Sequence, residues 1–439
     1  MTQPLRHGEL YHENWIGGLV PQSKIKKLGH LFDLISSGTT PATDRQEYYD
    51  GDIPWITTSE LRETLITAAN VHVTRQALAD HSALRIYDPG TLLIAMYGAT
   101  IGRLGILGIP AATNQACCAM SRPNGVDTKY IYYALLAGRE VLIEQASGGG
   151  QPNINQEKIR AFKLPAPPLD FQIAVGRFLD SETASIDVLI SSKQRLLDLL
   201  AEKRRAIVTE AVMRGLNHAA PLRPSGVDWL GKIPTHWEAV PLRFLVSFSG
   251  GATPDTRNLD YWNGKIPWVS PKDMKRDFIN DAEDHVSEAA LHSSALKMID
   301  PDAILIVVRG MILAHSFPTA INTVPVTINQ DMKALRCAEQ IAPAFLMDVL
   351  KGAKDYLVSL ADSSAHGTKK LETEALGRFE VPVPPLAEQH EIVRHIATEA
   401  AKIDTLCTAT ERSITLLKER RAALIAAAVT GQVEIPGAA

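Results

Sequence analysis

Two carboxylates and a lysine in the second half of this 439-residue chain follow the order seen in metal-dependent nucleases. Asp302 is followed by Asp331-Met-Lys333, and two acidic groups beside a lysine can hold Mg²⁺ at a phosphodiester bond. The first half carries other residue types at the corresponding places, namely Gly90, Ala116 and Cys118. A stand-alone magnesium nuclease is therefore one hypothesis, and it depends on a short pattern that occurs once.

Other patterns with catalytic chemistry do not occur in the sequence. There is no Gly-x-x-x-x-Gly-Lys-Ser/Thr loop for nucleotide phosphates, and no Asn/Asp-Pro-Pro-aromatic motif of the kind that holds a flipped base in amino-methyltransferases. The 13 histidines have no zinc-type spacing. The cysteines are expected to be reduced thiols: Cys117, Cys118, Cys337 and Cys407. Apart from the nuclease hypothesis, we expect no catalytic residue, no bound metal and no cofactor.

The composition is that of a folded protein with two or more domains. Hydrophobic residues make up 45% and charged residues 21% of the 439 positions. The formal net charge of −4 argues mildly against nucleic-acid binding, so such binding needs local basic patches or partners that contact phosphates. No segment has the roughly 20 apolar residues that cross a bilayer, and residues 1–10 lack an apolar signal core. We expect a cytoplasmic protein without membrane contact.

Hydroxyl and basic side chains near glycine turns are the first candidates for contact with nucleic acid. Two turn-like segments, Gly38–Pro41 and Gly251–Pro254, carry hydroxyls that could bind phosphate: Thr39, Thr40 and Thr253. The segments after two strand-like apolar runs carry side chains that could bind guanine or phosphate: Arg103, Arg309 and His315.

Two polar segments at corresponding places in the halves are further candidates. Ser147–Asn153 is rich in glycine, and Ser363–Lys370 is rich in small and basic residues. Glycine permits close approach of the backbone to a ligand, so the polar residues of these segments could contact DNA: Gln151, Asn153, His366, Lys369 and Lys370. A solvated connector is the alternative interpretation of both segments.

The chain contains two copies of one sequence pattern. Four pairs of motifs carry the repeat: Gly38–Pro41 with Gly251–Pro254, Gly51–Trp55 with Gly264–Trp268, Asn114-Gln115 with Asn329-Gln330, and Pro165–Pro168 with Pro382–Pro385. The separation drifts only from 213 to 217 residues along the copies, which excludes coincidence and indicates a duplicated structure. In Gly-x-Ile-Pro-Trp, glycine permits a turn and proline keeps the preceding residue extended, so Trp55 and Trp268 are predicted to enter a core.

Each copy ends in a long amphipathic segment that predicts a coiled-coil helix. The apolar stripe of the first is Ile186, Leu189, Leu197, Leu200, Ile207 and Ala211, and that of the second is Ile403, Leu406, Ile414, Leu417, Leu424 and Ala428. Pro168 and Pro385 stand where a helix can start, and Gly215 and Gly431 stand where one can end. About 45 helical residues span on the order of 65 Å. Two such stripes can bury each other, although each helix could also pack separately on its own globule.

The sequence therefore predicts an α+β fold with a pseudo-twofold internal repeat. Two α/β globules are expected to be separated by two long antiparallel coiled-coil helices. The predicted domains are a first globule at 1–167, a first helix at 168–216, a second globule at 217–384, a second helix at 385–432 and a tail at 433–439.

The motifs resemble those of the specificity subunits of type I restriction–modification enzymes. Residues 224–237, Pro-Ser-Gly-Val-Asp-Trp-Leu-Gly-Lys-Ile-Pro-Thr-His-Trp, are similar to the start of that family's second half. Gly-x-Thr-Pro followed by Gly-x-Ile-Pro-Trp resembles its target-recognition domains, and Pro382–Gln389 resembles the start of its long helices. The likeness covers nearly the whole chain. It departs at Asp170-Phe171, where the first helix has only Gln172 of the usual acidic-Gln pair.

The resemblance implies a DNA-reading protein without catalysis of its own. Each globule would read one half of a split, asymmetric target in double-stranded DNA, and the helices would set the distance between the halves. The helices would also dock two adenine-methyltransferase subunits, which restriction and translocation subunits would join. A specificity subunit of a methylation-only complex is an alternative, since both complexes need the same reader.

Overall fold

The computed structural model of the chain describes residues 14–16, 23–146, 153–363 and 369–437. The chain forms two compact units: unit 1 comprises residues 1–194 and 412–439, and unit 2 comprises residues 195–411. Each unit combines one globular part with segments of two long helices. The units divide inside those helices, whereas the domains expected from sequence divide at the helix starts. The boundaries at 167, 216, 384 and 432 therefore stay a prediction.

Unit 1 is built from short strands, short helices and segments of two long helices. Its strands are β1 (Lys24–Lys27), β2 (Phe32–Ser37), β3 (Tyr49–Ile56), β4 (Leu65–Ile66), β5 (Val71–Val73), β6 (Leu92–Ala95), β7 (Leu104–Leu107), β8 (Ala112–Thr113), β9 (Cys117–Pro123) and β10 (Lys163–Ala166). Its helices are α1 (Arg75–Asp80), α2 (Thr128–Ala137), α3 (Arg139–Glu144), α4 (Gln156–Ala161) and the first part of α5 (Leu169–Arg214), and residues 412–429 of the second long helix also belong to it.

Unit 2 has corresponding elements and several additional short strands. Its strands are β11 (Leu222–Pro224), β12 (Lys232–Pro234), β13 (Glu238–Pro241), β14 (Val246–Gly250), β15 (Ile266–Val269), β16 (Phe278–Ile279), β17 (Asp284–Val286), β18 (Ile304–Val307), β19 (Arg309–Gly310), β20 (Thr319–Asn322), β21 (Thr327–Ile328), β22 (Met332–Cys337), β23 (Asp362–Ser363), β24 (Lys369–Lys370) and β25 (Glu380–Val383). Its helices are the last part of α5 (residues 195–214), α6 (Glu288–Ser293), α7 (Pro343–Gly352), α8 (Lys354–Ser359), α9 (Thr373–Arg378) and the first part of α10 (Leu386–Val429).

A mixed sheet forms the centre of unit 1. Its strands lie in the order β2-β9-β6-β7-β4, with β4 parallel to β7 and the other neighbours antiparallel. Leu92 and Ile94 of β6 join an apolar cluster with α2 on one face. Leu93 and Ala95 join a second apolar cluster, because successive side chains of a strand point to opposite faces. A strand covered on both faces needs apolar residues throughout, which explains the uninterrupted apolar run.

Unit 2 repeats this topology strand for strand. Its central sheet has the order β14-β22-β18-β20-β16, again with one parallel pair at its edge. The smaller sheets correspond as well, since β5-β3-β8 in unit 1 matches β17-β15-β21 in unit 2. The fold class predicted from the sequence, a repeated α/β globule with long coiled-coil helices, is confirmed.

The glycines shared by the two copies lie where two backbones approach closely. A Cβ on Gly38 would lie 1.7 Å from the carbonyl oxygen of Thr113, and a Cβ on Gly251 would lie 2.1 Å from that of Asn329. The glycine that begins each Gly-x-Ile-Pro-Trp motif is also too close to a neighbouring backbone to carry a side chain. None of these glycines has a positive φ. Glycine is therefore required here because a neighbouring backbone leaves no room for a side chain. The backbone conformation of the predicted turn does not require it.

The two motif tryptophans lie in the cores of their units, as the sequence predicts. Trp55 is 6% exposed and Trp268 is 8% exposed. The indole N–H of Trp55 donates to the carbonyl oxygen of Thr39 at 3.2 Å, and that of Trp268 donates to Ala252 at 3.0 Å. Each tryptophan thereby fixes the backbone of the preceding Gly-x-Thr-Pro segment.

The segments of α5 and α10 are antiparallel within unit 2. Arg204 Nη1 donates to Asp404 at 2.7 Å, and a Cβ on Gly215 would lie 3.0 Å from Glu388 Oε1. Residue numbers therefore rise along α5 while they fall along the facing part of α10.

Unit 1 contains the same ion pair in the corresponding helix segments. Arg421 Nε and Nη2 donate to the two carboxylate oxygens of Asp187 at 2.9 and 3.2 Å. Both members lie 217 residues from their counterparts in unit 2, Arg204 and Asp404. The duplicated sequence thus gives each unit one equivalent pairing of its two helix segments.

One buried face of each helix follows steps of four and three residues, with a step of seven where one position is passed over. The buried residues with this spacing are Val175, Leu179, Thr183, Ile186, Leu200 and Ala211 on α5, and Ile392, Ile396, Ile403, Thr410, Ile414 and Ala428 on α10; Val212, Ile425 and Val429 are also buried but lie outside this spacing. The half-buried members between them are Ile190, Lys193, Leu197 and Ile207 on α5, and Cys407, Leu417 and Leu424 on α10. This spacing is typical of a coiled-coil seam.

Two residues of the predicted stripes do not belong to this seam. Leu189 is 50% exposed and Leu406, its counterpart, is 53% exposed. From Ile186 the buried face continues through Ile190 and Lys193, and Leu189 lies at the margin of that face instead of within it. The sequence prediction placed Leu189 and Leu406 in the seam because they are apolar, and it is wrong for these two positions.

The predicted ends of the long helices are confirmed. Leu169 and Leu386 begin the helices directly after Pro168 and Pro385. Gly215 and Gly431 follow the helix ends with φ values of +71° and +72°, the left-handed conformation that closes a helix. Within the described residues, no helix combines the length and the hydropathy needed to cross a membrane.

A buried glutamine anchors the start of each long helix to its globule. Gln172 is 1% exposed and Gln389 is fully buried. Their amide oxygens accept hydrogen bonds from the backbone N–H of Asp127 at 3.0 Å and of Ala342 at 2.8 Å. Their amide nitrogens donate to proline carbonyls just before the helices. The sequence departure at residues 170 and 171 leaves this anchor unchanged, because it depends on the glutamine alone.

Candidate nucleic-acid interface

Strand ends bring separate chain segments together at one end of each central sheet. In unit 1, β2 ends at Ser37 opposite Cys118, and β6 ends at Ala95 opposite Cys117. The segments that follow β2 and β6 and precede β9 therefore lie side by side. Strands β14, β18 and β22 have the same arrangement in unit 2. We name these places edge 1 (39–40, 97–103, 114–116 and 153) and edge 2 (252–253, 309–315, 329–331 and 369–370).

Edge 1 is held together by contacts between residues far apart in sequence. The Thr40 hydroxyl donates a hydrogen bond to the side-chain oxygen of Gln115. The phenol of Tyr97 also contacts Gln115, which opposes the rise in its pKa that burial causes. Asn153 pairs with Tyr97 through an antiparallel backbone bridge, and Thr39 lies half-buried beside Thr40. The predicted residues Thr39, Thr40 and Asn153 thus meet at one place.

Arg103 lies at the turn between β6 and β7, on the same edge. The Ala95 N–H donates to the Arg103 carbonyl at 2.9 Å, which closes the turn. The Arg103 side chain is exposed, and its guanidinium makes no hydrogen bond or ion pair with any residue that the structure describes. A cation in this state is available to a phosphate or a base.

Edge 2 repeats the threonine–glutamine contact of edge 1. The Thr253 hydroxyl donates to the side-chain oxygen of Gln330, in the place of Thr40 and Gln115. The asparagine before each glutamine stabilises the turn. Asn329 Oδ1 accepts a hydrogen bond from the Asp331 N–H at 3.1 Å, and in unit 1 Asn114 Oδ1 accepts one from the Ala116 N–H at 3.1 Å. Sequence reasoning missed these glutamines as site residues, although the Asn-Gln dipeptide shared by the two copies was the available signal.

The basic candidates of unit 2 converge on a small sheet at edge 2. Strand β24 pairs with β19, so that Arg309 lies opposite Lys370 and Gly310 lies opposite Lys369. The Arg309 Nε donates to Asp331 Oδ1 at 2.6 Å. The Lys370 ammonium pairs with Glu372 at 2.7 Å, and that of Lys369 reaches a backbone carbonyl at 3.5 Å. The cations are therefore close together but partly neutralised.

The turn after β19 exposes an apolar side chain as well as a histidine. Met311 is 77% exposed, and His315 is exposed at the end of the same turn. Edge 1 has Ala99 and Arg103 at the corresponding positions. The two edges thus present different chemistry on equivalent backbones.

Two of the predicted contact residues, Gln151 and His366, lie outside the described residues. Their role in DNA contact stays a prediction. The same is true of the direct contact of the other edge residues with DNA, since the structure establishes their convergence only.

The nuclease hypothesis fails on geometry. Asp302 precedes β18, while Asp331 precedes the antiparallel strand β22. Ile304 lies opposite Leu335 in that strand pair, so the two carboxylates are at opposite ends, about 20 Å apart at 3.3 Å per residue. Asp331 is also paired with Arg309. One Mg²⁺ cannot bridge ligands at this distance, so Asp302, Asp331 and Lys333 do not form a metal site.

The comparisons with known proteins agree with this architecture. The family model for the type I restriction modification DNA specificity domain matches residues 22–196 and 234–411. The EcoR124I/EcoR124II specificity subunit of Escherichia coli is 36% identical over 158 residues, which are 36% of this chain and 38% of that protein. The MjaIX specificity subunit of Methanocaldococcus jannaschii is 26% identical over 324 residues, 72% of each chain.

Solved structures show the same fold at low sequence identity. One such structure comes from a study of complex assembly and conformational transition of the type I R-M system. It aligns with a TM-score of 0.69 at 18% identity, and the alignment covers 94% of this chain and 99% of that chain. The HsdS subunit of Thermoanaerobacter tengcongensis aligns with a TM-score of 0.54 at 15% identity, covering 94% and 98%. With both halves of the repeat matched by one family model, this chain belongs to the DNA specificity family of type I restriction–modification systems.

Proposed function

We propose that this chain reads a bipartite, asymmetric target in double-stranded DNA, with edge 1 on one half and edge 2 on the other. The observation that carries the proposal is the repeated edge, in which one threonine–glutamine contact is surrounded by different side chains in each unit. Equivalent backbones with different exposed side chains are what two readers of different sequences need.

The net charge of −4 is compatible with this role. The edges carry exposed cations such as Arg103 and Arg309, which can contact bases or single phosphates. Bound partner subunits would supply much of the remaining phosphate contact. The chain alone is therefore expected to bind DNA weakly, and the assembled complex tightly.

The helices offer two equivalent surfaces for a repeated partner. Unit 1 exposes Leu189 and Leu416, and unit 2 exposes their counterparts Leu406 and Leu199, each at least half exposed and each 217 residues from its equivalent. A single exposed leucine needs no partner, but the recurrence of both exposed leucines at equivalent positions of the two units supports an interface that is used twice. Two equivalent leucine pairs fit two copies of one adenine-methyltransferase subunit, and restriction–translocation subunits would join that complex.

A domain exchange tests the reading of two half-targets. Residues 1–165 are replaced by those of a relative with a different target, the complex is assembled with methyltransferase, and methylated adenines are mapped in genomic DNA. Only one half of the methylated target should change. Exchange of residues 217–384 is the matched control and should change only the other half. A change of both halves in either exchange would refute two independent readers.

Native mass spectrometry tests the stoichiometry. The Leu189→Asp variant should bind one methyltransferase subunit instead of two, because a charge in one interface leaves the equivalent interface intact. Leu406→Asp should do the same at the other interface, and the double variant should bind none. Retention of two subunits by both single variants would remove these leucines from the interface.

A further inference from the structure

The guanidinium of Arg309 is held at one nitrogen only. Its Nε donates to Asp331 Oδ1 at 2.6 Å, while Nη1 and Nη2 make no hydrogen bond to any residue within the described part of the chain. The side chain is 47% exposed. The carboxylate thus fixes the direction of the planar group and leaves its two terminal nitrogens free.

This geometry matches the acceptor pattern of one base. Guanine presents O6 and N7 in the major groove, and an arginine with free terminal nitrogens can donate to both. A carboxylate on Nε lowers the entropy lost when the arginine binds, because the guanidinium plane is already oriented. We infer that Arg309 reads a guanine in the half-target bound by unit 2, and that Asp331 is its positioning residue. The inference depends on the proposed function.

A second arginine–aspartate pair on the same two strands shows the contrast. Arg336, at the end of β22, donates through Nη2 to Asp300, which precedes β18. Here the carboxylate occupies a terminal nitrogen of the arginine instead of Nε. This pair also lies at the opposite end of the strands from edge 2. It is a structural ion pair, and it supplies a matched control for the pair at edge 2.

The first copy lacks this arginine–aspartate pair. Tyr97 corresponds to Arg309 and Ala116 to Asp331, because the hydrogen bonds beside them are equivalent: Ile154 N–H to Met96 and Leu371 N–H to Val308, both 2.8 Å. The guanine that depends on Arg309 should therefore occur only in the half of the target that exchange of residues 217–384 alters.

The test measures base preference at each target position. The complex with methyltransferase is given DNA with a randomised half-target, and the methylated products are sequenced. Arg309→Gln should lose roughly 10- to 100-fold of the discrimination for guanine at one position and leave the other half unchanged. Replacement of that guanine by 7-deazaguanine, which lacks the N7 acceptor, should weaken the wild-type complex but have little effect on the variant. Arg336→Gln should leave every position unchanged.

Two further variants test the positioning role. Asp331→Ala should reduce the guanine discrimination severalfold, and Asp331→Asn, which keeps an oxygen acceptor for Nε, should restore most of it. The salt dependence of DNA binding should be the same in both, since no phosphate contact is changed. If Asp331→Ala and Asp331→Asn both reduce base discrimination equally at all target positions, the pair only supports the fold.

The possible failures are distinguishable. If the wild-type complex methylates no split target, the proposed function fails. If it does so and the domain exchange behaves as expected, but Arg309→Gln changes no base preference, the reader is another residue and this inference is overturned. Loss of methyltransferase binding in Arg309→Gln would instead assign edge 2 to a protein contact, which also overturns it.

Discussion

Units 1 and 2 agree where side chains are packed and differ where side chains are exposed. Their sheets, confined glycines, anchoring glutamines and helix ion pairs correspond residue for residue. At the edges, however, Arg309 stands in the place of Tyr97 and Met311 in that of Ala99. Packing restricts the first set because each substitution disturbs close-packed neighbours. The edge side chains lie on a fixed backbone without that restriction, so two copies of one fold can present different surfaces.

The buried positions do not all agree, and one difference changes the charge of the core. Tyr133 of α2 donates its hydroxyl to Asp180 at 2.8 Å, while Asp348 occupies the corresponding place on α7 and is 8% exposed. Burial raises the pKa of the Asp348 carboxyl to about 6, and the nearby Lys351 and Arg204 oppose that rise. Unit 2 thus carries a buried acid where unit 1 carries a neutral phenol.

Substitutions in the seam of the helices should have the largest effect on stability. Ile403→Asp places an unpaired charge at a position that is 4% exposed, so it should lower the free energy of unfolding by about 4 kcal/mol or more. Ile186→Asp, its equivalent, should cost a similar amount. Urea unfolding measures both. Leu406→Asp is the matched control and should stay within about 0.5 kcal/mol; a comparable loss in this control would contradict the seam.

The confined glycines should come next. Gly251→Ala forces a Cβ into a backbone carbonyl and should destabilise unit 2 by about 3 kcal/mol, as overpacking does, with Gly38→Ala acting equally on unit 1. Differential scanning calorimetry gives the two losses. A Cβ on the neighbouring Gly250 would have no atom within 4 Å, and this glycine has no positive φ, so Gly250→Ala should be neutral. A large effect at Gly250 would show that the close approach is not the cause.

The buried acid of unit 2 should make stability depend on pH. A raised pKa means that the folded state binds the proton more tightly than the unfolded state, so stability falls as pH rises from about 4 to about 6. Asp348→Asn removes this penalty and should stabilise unit 2 by about 2 kcal/mol at pH 7 and by little at pH 4. Urea midpoints at both pH values measure it, with exposed Asp355→Asn as control. An equal gain at both pH values would contradict the ionisation argument.

The smallest expected effect is the difference in coupling energy between the two helix ion pairs. The Arg421–Asp187 pair has two hydrogen bonds and an arginine that is 19% exposed, whereas the Arg204–Asp404 pair has one and an arginine that is 45% exposed. Double-mutant cycles to alanine should give a coupling of about 1 kcal/mol for the first pair and below about 0.5 kcal/mol for the second. Equal couplings would mean that burial does not distinguish the units here.

Much of the fold could be predicted because a repeated sequence pattern indicates a repeated structure, even when no contact between residues is known. The constant separation of Gly-x-Ile-Pro-Trp and of the proline motifs located both globules and both helices. The helix ends at Gly215 and Gly431 followed from local backbone preference. The seam was predicted less well, since Leu189 was chosen for its hydrophobicity while Lys193 and Thr410 occupy the buried face. Residue type does not decide which side of a long helix meets a partner.

The candidate site was predicted as separate segments. Hydroxyls, arginines and lysines could be selected by type and by their position near turns, and most of them do lie at the strand-end edges. The glutamines that bind Thr40 and Thr253 were missed, since they are 75 and 77 residues away in sequence and are joined only by strand pairing. Asp331 was assigned to a metal because it shares a short motif with Lys333, whereas its partner is Arg309.

The sequence by itself determined the duplication, the fold class, the extent of the long helices and the family. These follow from local preferences and from internal repetition, both of which are readable along one chain. The tertiary structure alone decided which leucines are buried, why the shared glycines are needed, and which side chains meet at the edges. Such contacts are made between strands brought together by pairing over long sequence distances, where neither periodicity nor residue type fixes the partner.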